Sequence, residues 1–477
     1  GVGSGLNDNA SGTAALVELA RAYAPTAGGA RLSLPYSLVF LSTDGGVDGN
    51  FGAAHFAQAP STRSEVIAVI NLDAVGGNGL PRLELAADNP RSPAAGLVET
   101  MRTELVKQTG AEPGRPSALR QLVDLAFPFS RYGQAPLVTE GIPAVTVTTA
   151  PDRPPATRPP LRERLNVTRL GQVGRAVQNV VDAMEQGIAL PQGPSSFVFL
   201  GQRLVRGWAI EIVLVAALLP FIAVAIDLFA RCRRRRIPVA PALRSYRSRL
   251  GFWLWVGALF ALFGLLGAWP GGAARPPALD SIRWPAGALT GVAALAGVGW
   301  IVARDRLLPR RPIEPEEELA GHTAALLALA AVGLLLVATN PFALIFLLPS
   351  LHIWLWLPHA RSHGVLARTF VLLAGLAGPA LLLWSFGVRY GLGYDAFWYI
   401  AWLFALGYAP LPLLIVMLGW LAAAGQLAAI AAGRYAPYPA ADERPPRGPI
   451  RETVRRIVLA RRRRKRASEP PRRALHG

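Results

Sequence analysis

The sequence predicts an α/β domain, a mixed sheet flanked by helices, followed by an all-α transmembrane helical domain. In residues 1–200, strand-like apolar runs alternate with amphipathic segments, which is typical of a sheet covered by helices. From Trp208 onward, apolar runs of about 20 residues recur, the length that crosses a bilayer. Charge divides the same way: residues 1–200 carry 16 Lys and Arg against 17 Asp and Glu, and the remainder carries 33 against 13.

These patterns divide the chain into four parts. We expect an extracytoplasmic N-terminal domain over residues 1–190, a linker over 191–207, a transmembrane domain of about seven helices over 208–432, and a basic cytoplasmic tail over 433–477. No signal peptide is visible, although the N-terminal domain has to be exported, so we expect further sequence upstream of Gly1.

The elements of the N-terminal domain follow from periodicity and composition. Residues 12–24 place Ala15, Leu16 and Leu19 on one helical face, and Asn9 or Ser11 can cap the start of this helix. The run from Val66 to Ile70 is typical of a buried strand. Strands are predicted at residues 34–42, 65–75, 82–87 and 144–149, and further helices at residues 93–109, 118–126 and 168–185.

The apolar runs of the second half also fix an orientation. They lie at residues 208–230, 251–269, 286–303, 324–339, 341–357 and 366–388, and a last run at 396–432 is long enough for one span or a tight pair around Pro410 and Pro412. The loop after the first run contains Arg231 and Arg233 to Arg236, so the positive-inside rule makes it cytoplasmic. A basic tail on the same side then requires an odd number of spans, and we favour seven over eight.

The strongly basic composition is explained by this topology. The net charge of +19 lies in membrane-flanking loops and the tail, which indicates membrane lipids rather than nucleic acid as the partner. Ala, Gly, Pro and Arg are abundant and only Lys107 and Lys465 are lysines, which suggests a GC-rich genome and the plasma membrane of a bacterium. Cys232 is the sole cysteine, so an intrachain disulfide and a thiolate zinc site are excluded.

The tail carries its own amphipathic pattern. Ile450, Val454, Ile457 and Val458 share one helical face, and the basic run 461–466 follows them. This arrangement suits a helix on an anionic inner leaflet, and a solvated tail is the equal alternative.

Several short motifs occur in the order and spacing of one peptidase family. Asn7-Asp-Asn-Ala-Ser-Gly12, followed by an amphipathic helix, resembles the metal-bridging loop of the M28 zinc aminopeptidases. The resemblance implies that Asp8 is the bridging ligand and Asp73, in Asn71-Leu-Asp73, another metal ligand. Gly141-Ile-Pro-Ala-Val145 is similar to the last family strand, and the resemblance covers residues 1–187.

Other family positions have changed. Gly46-Val47 stands where the family has a Glu-Glu pair, and Gln134 stands where the final His is expected. The family's His-x-Asp would lie before residue 1. A Gly cannot act as the general base, a role that contributes about 10²–10⁴-fold to rate. The resemblance therefore implies zinc as the cofactor but with an incomplete ligand set.

Three functions fit this sequence. The first is a degenerate M28-type domain that binds peptides or protein partners outside the membrane without efficient hydrolysis. The second is an active membrane-bound aminopeptidase with a rearranged metal site built from Asp8, Asp44, Asp73 and an upstream His-x-Asp. The third is a transporter or membrane scaffold with an accessory N-terminal domain. We favour the first.

Overall fold

The computed structural model describes residues 10–24, 36–43, 50–150, 165–185, 193–269 and 282–438. Several sequence predictions lie outside these ranges. They concern the bridging residue Asp8, the substituted pair Gly46-Val47, the alternative ligand Asp44 and the amphipathic tail at residues 450–466.

The N-terminal domain contains a three-stranded mixed sheet, which confirms the predicted sheet type. Its strands are β1 (Val69–Asp73), β2 (Arg82–Glu84) and β3 (Ala144–Thr148), in the order β1-β3-β2. Strand β3 runs parallel to β1 and antiparallel to β2. The helices are α1 (Ser11–Tyr23), α2 (Phe51–Gln58), α3 (Pro60–Glu65), α4 (Ala95–Thr109), α5 (Ala118–Ala126), α6 (Gln134–Thr139) and α7 (Val167–Glu185).

Helices cover both faces of this sheet. Because successive side chains on a strand point to opposite faces, Val145 and Val147 pack on one side in a core shared with α1, α4 and α7. Ala144 packs in a second core with residues of α2 and α6. The polar residues of the sheet therefore lie at the strand ends and on the face that α6 covers.

Most predicted elements are confirmed, and one is wrong. Helix α5 has the predicted bounds, and α1, α4 and α7 differ from theirs by one or two residues. The strand predicted at residues 34–42 is absent over the described part, 36–42. There Val39, Phe40 and Leu41 are exposed and the segment pairs with no described strand. Strand propensity reflects packing against neighbouring strands, and among the described residues this segment has no paired strand beside it.

The segment predicted as a linker, 191–207, instead contains an ordered hairpin. Strands β4 (Phe197–Leu200) and β5 (Arg203–Arg206) pair antiparallel around a turn in which Gly201 has φ of 63°. Phe197 and Phe199 enter the core of the N-terminal domain, whereas Val198, on the opposite face, enters the core of the helices that follow. The hairpin therefore packs into the cores of both domains.

The C-terminal helical domain, residues 207–438, contains nine α-helices within the described part of the chain. They are α8 (Gly207–Arg234), α9 (Ala240–Leu265), α10 (Ala286–Leu307), α11 (Pro315–Thr339), α12 (Leu344–Trp354), α13 (Gly364–Ala374), α14 (Ala377–Arg389), α15 (Asp395–Ala405) and α16 (Leu411–Ala431). Five of these are long and apolar enough to cross a membrane: α8, α9, α10, α11 and α16. The pair α13 and α14, bent by 52°, makes a sixth if it counts as one span.

A shorter apolar segment runs beside α11. It begins with a 3-10 helix at Pro341–Ala343, next to the end of α11, and continues as α12. At its far end, the Trp354 carbonyl lies 3.1 Å from Nε2 of His322, near the start of α11. This segment therefore extends along most of α11. The last predicted run, 396–432, divides into α15 and α16, and the number of seven spans stays a prediction.

Candidate functional site

Asp73 lies at the carboxyl end of β1, the edge of the sheet where ligands of α/β proteins commonly bind. In β3 its neighbour is Thr148. The start of α1 lies at the same edge, because a Cβ added to Gly12 would be 2.7 Å from the carbonyl oxygen of Leu72. Only glycine fits at this approach. The bridging-loop prediction for Asp8 lies outside the described residues, but the helix that follows the loop reaches the edge that contains Asp73.

The loop after Asp73 has a constrained backbone. Ala74 has φ of 50°, a left-handed conformation that is uncommon for a residue with a side chain. The Thr149 hydroxyl donates to the Ala74 carbonyl and accepts from the Gly77 amide at 2.9 Å. A Cβ on Gly79 would be 2.7 Å from the Thr149 carbonyl oxygen. The turn beside Asp73 is thus held tightly against the end of β3.

Gln134, at the position expected for the family's last histidine, is completely buried at the start of α6. Its Nε2 donates to the Ala86 carbonyl at 2.8 Å and to Ser130 Oγ at 3.3 Å. Its Oε1 accepts from the Thr146 hydroxyl. Asn71 donates to Thr146 Oγ1 at 2.8 Å and continues the network onto β1. Both ends of the Gln134 amide therefore have protein partners.

The described residues of this edge do not by themselves provide ligands for a pair of zinc ions. Among the residues that the structure describes, no group of three or more His, Cys, Asp or Glu side chains is close enough to hold a metal. His55, the one histidine of residues 1–200, is exposed on α2. Zinc sites in proteins use imidazole, thiolate and carboxylate ligands, and a neutral amide oxygen is a poor substitute. Asp73 remains as the one described residue that the resemblance assigns to metal binding.

One rim of the site packs directly on the C-terminal helical domain. The segment before Gln134 inserts Phe127 and Phe129 into an aromatic cluster with Phe386, Tyr390, Tyr399 and Tyr408. Ring centroids in this cluster lie 5.3 to 5.9 Å from Phe129, the spacing of favourable aromatic pairs. Asn50, at the start of α2, donates to the Arg131 carbonyl at 2.9 Å. The rim is therefore held between the two domains.

Four charged residues, which we call the interface ion cluster, lie beside this rim: Arg82, Glu84, Asp124 and Arg389. Glu84, completely buried on β2, bonds Arg82 and lies 3.7 Å from the Arg389 guanidinium. Asp124, on α5, accepts a hydrogen bond from Arg389 at the end of α14. One guanidinium from the helical domain thus faces two buried carboxylates of the N-terminal domain. No local pattern in the sequence predicts this cluster.

The electrostatics connect the cluster to the site. Burial raises the pKa of Asp124 to about 6, against the opposing effects of Arg389 and Arg120, while Glu84 adds to the increase. Burial also raises the pKa of Tyr132, and the negative charges of Glu84 and Asp73 raise it further. Tyr132 is therefore within electrostatic range both of the candidate ligand Asp73 and of the ion cluster.

Acidification should stabilise the domain interface. The pKa of Asp124 is about 6 in the folded protein, against 3.8 for an unperturbed aspartate as in the unfolded chain. Between these two pH values the folded protein therefore binds more protons than the unfolded chain. This contribution to stability is complete below pH 4 and is lost as pH rises through 6. We expect the thermal unfolding midpoint of the purified protein to be higher at pH 5 than at pH 7. In the Asp124→Asn variant this difference between the two pH values should disappear. An unchanged pH slope in the variant would exclude Asp124 as its source.

The comparison with known proteins concerns the N-terminal part of the chain. Residues 1–157 match the family model of peptidase family M28. The match includes all three sheet strands, Asp73 and Gln134. It covers 157 of the 477 residues, so the similarity concerns the N-terminal part and not the whole protein. No curated protein matches the chain.

Proposed function

We propose that this protein is a membrane-anchored, M28 peptidase-like protein whose extracytoplasmic domain binds a peptide or protein chain with little or no hydrolysis. The observation that carries the proposal is the buried Gln134, whose amide is bonded to Thr146, Ala86 and Ser130. A ligand position of the family has become part of a structural hydrogen-bond network.

The chemistry of the family needs groups that this chain has replaced. A co-catalytic site needs imidazole and carboxylate ligands for each metal and a base that takes a proton from the bound water. Gly46 has no group to accept that proton, and Val47 has no ligand atom. A domain that keeps the sheet edge at Asp73 but lacks these groups is suited to recognition of a chain rather than to its cleavage.

The distribution of charge supports a membrane location with the N-terminal domain outside. Arginines cluster in the last turn of α8 and directly after it, at residues 231 and 233–236, and α8 follows the hairpin of the N-terminal domain without a break. Exposed apolar side chains continue along α8, including Trp208, Ile212 and Val213. Lipid chains would cover this surface, and the arginines would lie at the cytoplasmic headgroups.

Hydrolysis and metal content test the proposal together. The purified full-length protein should cleave aminoacyl-4-nitroanilides no faster than its Asp73→Asn variant in the presence of zinc, manganese or cobalt. We expect less than one bound metal ion per chain by elemental analysis. Stoichiometric metal, together with turnover that Asp73→Asn and Asp8→Ala abolish, would instead establish the active aminopeptidase with a rearranged site.

Binding requires a separate measurement. A mixed library of peptides with free amino termini and a photo-reactive phenylalanine should crosslink to the full-length protein near the Asp73 edge. Tyr132→Phe is a conservative control variant, because it keeps the aromatic ring and removes only the hydroxyl. Tyr132 lies within electrostatic range of Asp73. Labelling confined to α8 or α10, with none in residues 50–150, would reject the N-terminal domain as the peptide-binding part.

A further inference from the structure

Helix α14 connects two unusual features of the fold. Its last residue, Arg389, bonds Asp124 and faces Glu84 in the N-terminal domain. Its first residue, Ala377, follows the bend of 52° that separates α13 from α14. The 13 residues of α14 span about 20 Å at 1.5 Å per residue. A continuous helix therefore joins the interface ion cluster to the bend.

The bend is a built feature with its own hydrogen-bond partners. The carbonyl of Leu372 accepts from Trp354 Nε1 at 3.1 Å, and that of Gly375 accepts from the Ser350 hydroxyl at 2.6 Å. Trp420 on α16 donates to the same hydroxyl at 3.0 Å. Interrupted helices are tolerated in apolar surroundings where side chains satisfy the freed carbonyl groups. The bend is thus fixed by α12 and α16 together.

The other end of α14 reaches the site through adjacent strands. Glu84 on β2 stands opposite Thr146 on β3, and the Thr146 hydroxyl bonds Gln134 and Asn71. Glu84 is also the residue that faces Arg389. A contiguous set of packed groups therefore runs from the Gln134 network through the ion cluster to α14.

We propose that α14 couples the candidate site to the helical domain, with Arg389 as the positioning residue and residues 375–376 as the pivot. A ligand that shifts β2 and β3 moves Glu84, one of the two carboxylates that face Arg389, and α14 transmits this shift to its contacts with α12. Energetic coupling through packed elements of this kind is reciprocal, so a change at either end alters the other. The inference goes beyond peptide binding and does not depend on whether the N-terminal domain hydrolyses its ligand.

Hydrogen exchange on the full-length protein in nanodiscs tests the coupling. In Glu84→Gln, we expect amides of residues 372–378 to exchange about fivefold faster or more, the change that corresponds to a coupling of about 1 kcal/mol. The matched control is Glu104→Gln, which changes another buried carboxylate, bonded to Lys107 and Asn179 within the N-terminal domain. It should leave residues 372–378 at the wild-type rate.

The reverse direction provides a second measurement. A Cβ on Gly375 would overlap the Trp354 indole, so Gly375→Ala displaces the bend, whereas a Cβ on Gly251 of α9 meets nothing within 4 Å. Gly375→Ala should change exchange in residues 127–133, and Gly251→Ala should not. If Glu84→Gln does not fold, Arg389→Lys keeps the charge and should give a smaller change at the same residues.

Two outcomes would overturn the proposal. One is faster exchange in residues 127–133 of Glu84→Gln with no change at residues 372–378. The other is an equal change at 372–378 in the Glu104→Gln control, which would indicate general loss of stability. Neither outcome affects the measurements of hydrolysis and metal content, so failure of the coupling and failure of the proposed function are distinguishable.

Discussion

Arg389→Gln should destabilise the protein by about 3–5 kcal/mol, the usual cost of removing one partner from a buried ion pair. The guanidinium is almost completely buried and bonds Asp124, which is buried as well. After the substitution Asp124 keeps its place in the interface without the group that bonds it. The unfolding midpoint in denaturant, measured on the purified full-length protein, should fall accordingly.

Arg102 provides the matched control. It bonds Glu99 and Glu112 on the surface of the N-terminal domain, where an ion pair contributes about 0–1 kcal/mol. Combining Arg389→Gln with Asp124→Asn and Glu84→Gln should recover much of the loss, because the buried carboxylates are then neutral. If Arg389→Gln costs no more than Arg102→Gln, the ion cluster does not hold the two domains together.

The features that could be predicted from the sequence are those with local causes. Helix α5 has a clear amphipathic pattern, and Ser117 caps it by accepting from the Arg120 amide. Strand β3 is buried throughout and consists of β-branched residues after Ala144. The long apolar helices follow from composition alone. In each case neighbours in the chain determine the element.

The hairpin was missed although its pattern is readable. Phe197 to Leu200 and Arg203 to Arg206 are short strands separated by Gly201 and Gln202, the spacing of a two-residue β-turn. The exposed segment around Val39 is the opposite case, because its strand-like composition is not matched by a pairing partner in the described part of the chain.

The site and its neighbourhood depend on contacts that no local pattern contains. That Gln134 stands where the resemblance implies a histidine is visible in the sequence, but the bonds of its amide to Thr146 and Ala86 are not. Glu84 and Arg389 are 305 positions apart in the chain, and each alone resembles an ordinary surface charge. Their pairing arises only when α14 ends beside the N-terminal sheet.

The same contacts explain why the two domains form one unit. The hairpin places Val198 in the core of the helical domain, and Asn340 donates to the carbonyl oxygens of Leu125 and Ala126 at 3.0 and 3.2 Å. Tyr408 donates to Asp88. Aromatic packing, backbone hydrogen bonds and buried charge thus act at separate points, so the N-terminal domain has a fixed orientation on the helices.

Gly378→Ala should have the second large effect, because this glycine allows α14 to pass α12 at backbone contact. A Cβ at position 378 would overlap the carbonyl oxygen of Phe346, and a backbone atom cannot move aside as a flexible side chain can. Overpacking of this kind costs about 1–3 kcal/mol or more. We expect a lower thermal midpoint and a displaced bend.

Gly251→Ala makes the same chemical change in the interior of α9, where a Cβ meets nothing within 4 Å. It should be neutral or stabilise by about 0.5–1 kcal/mol, since alanine favours helix over glycine. The two substitutions are expected to change stability in opposite directions, so comparing them separates the effect of steric contact from the effect of helix propensity. Equal midpoints for the two variants would show that α12 and α14 are not in close contact, and the bend would then have no fixed pivot.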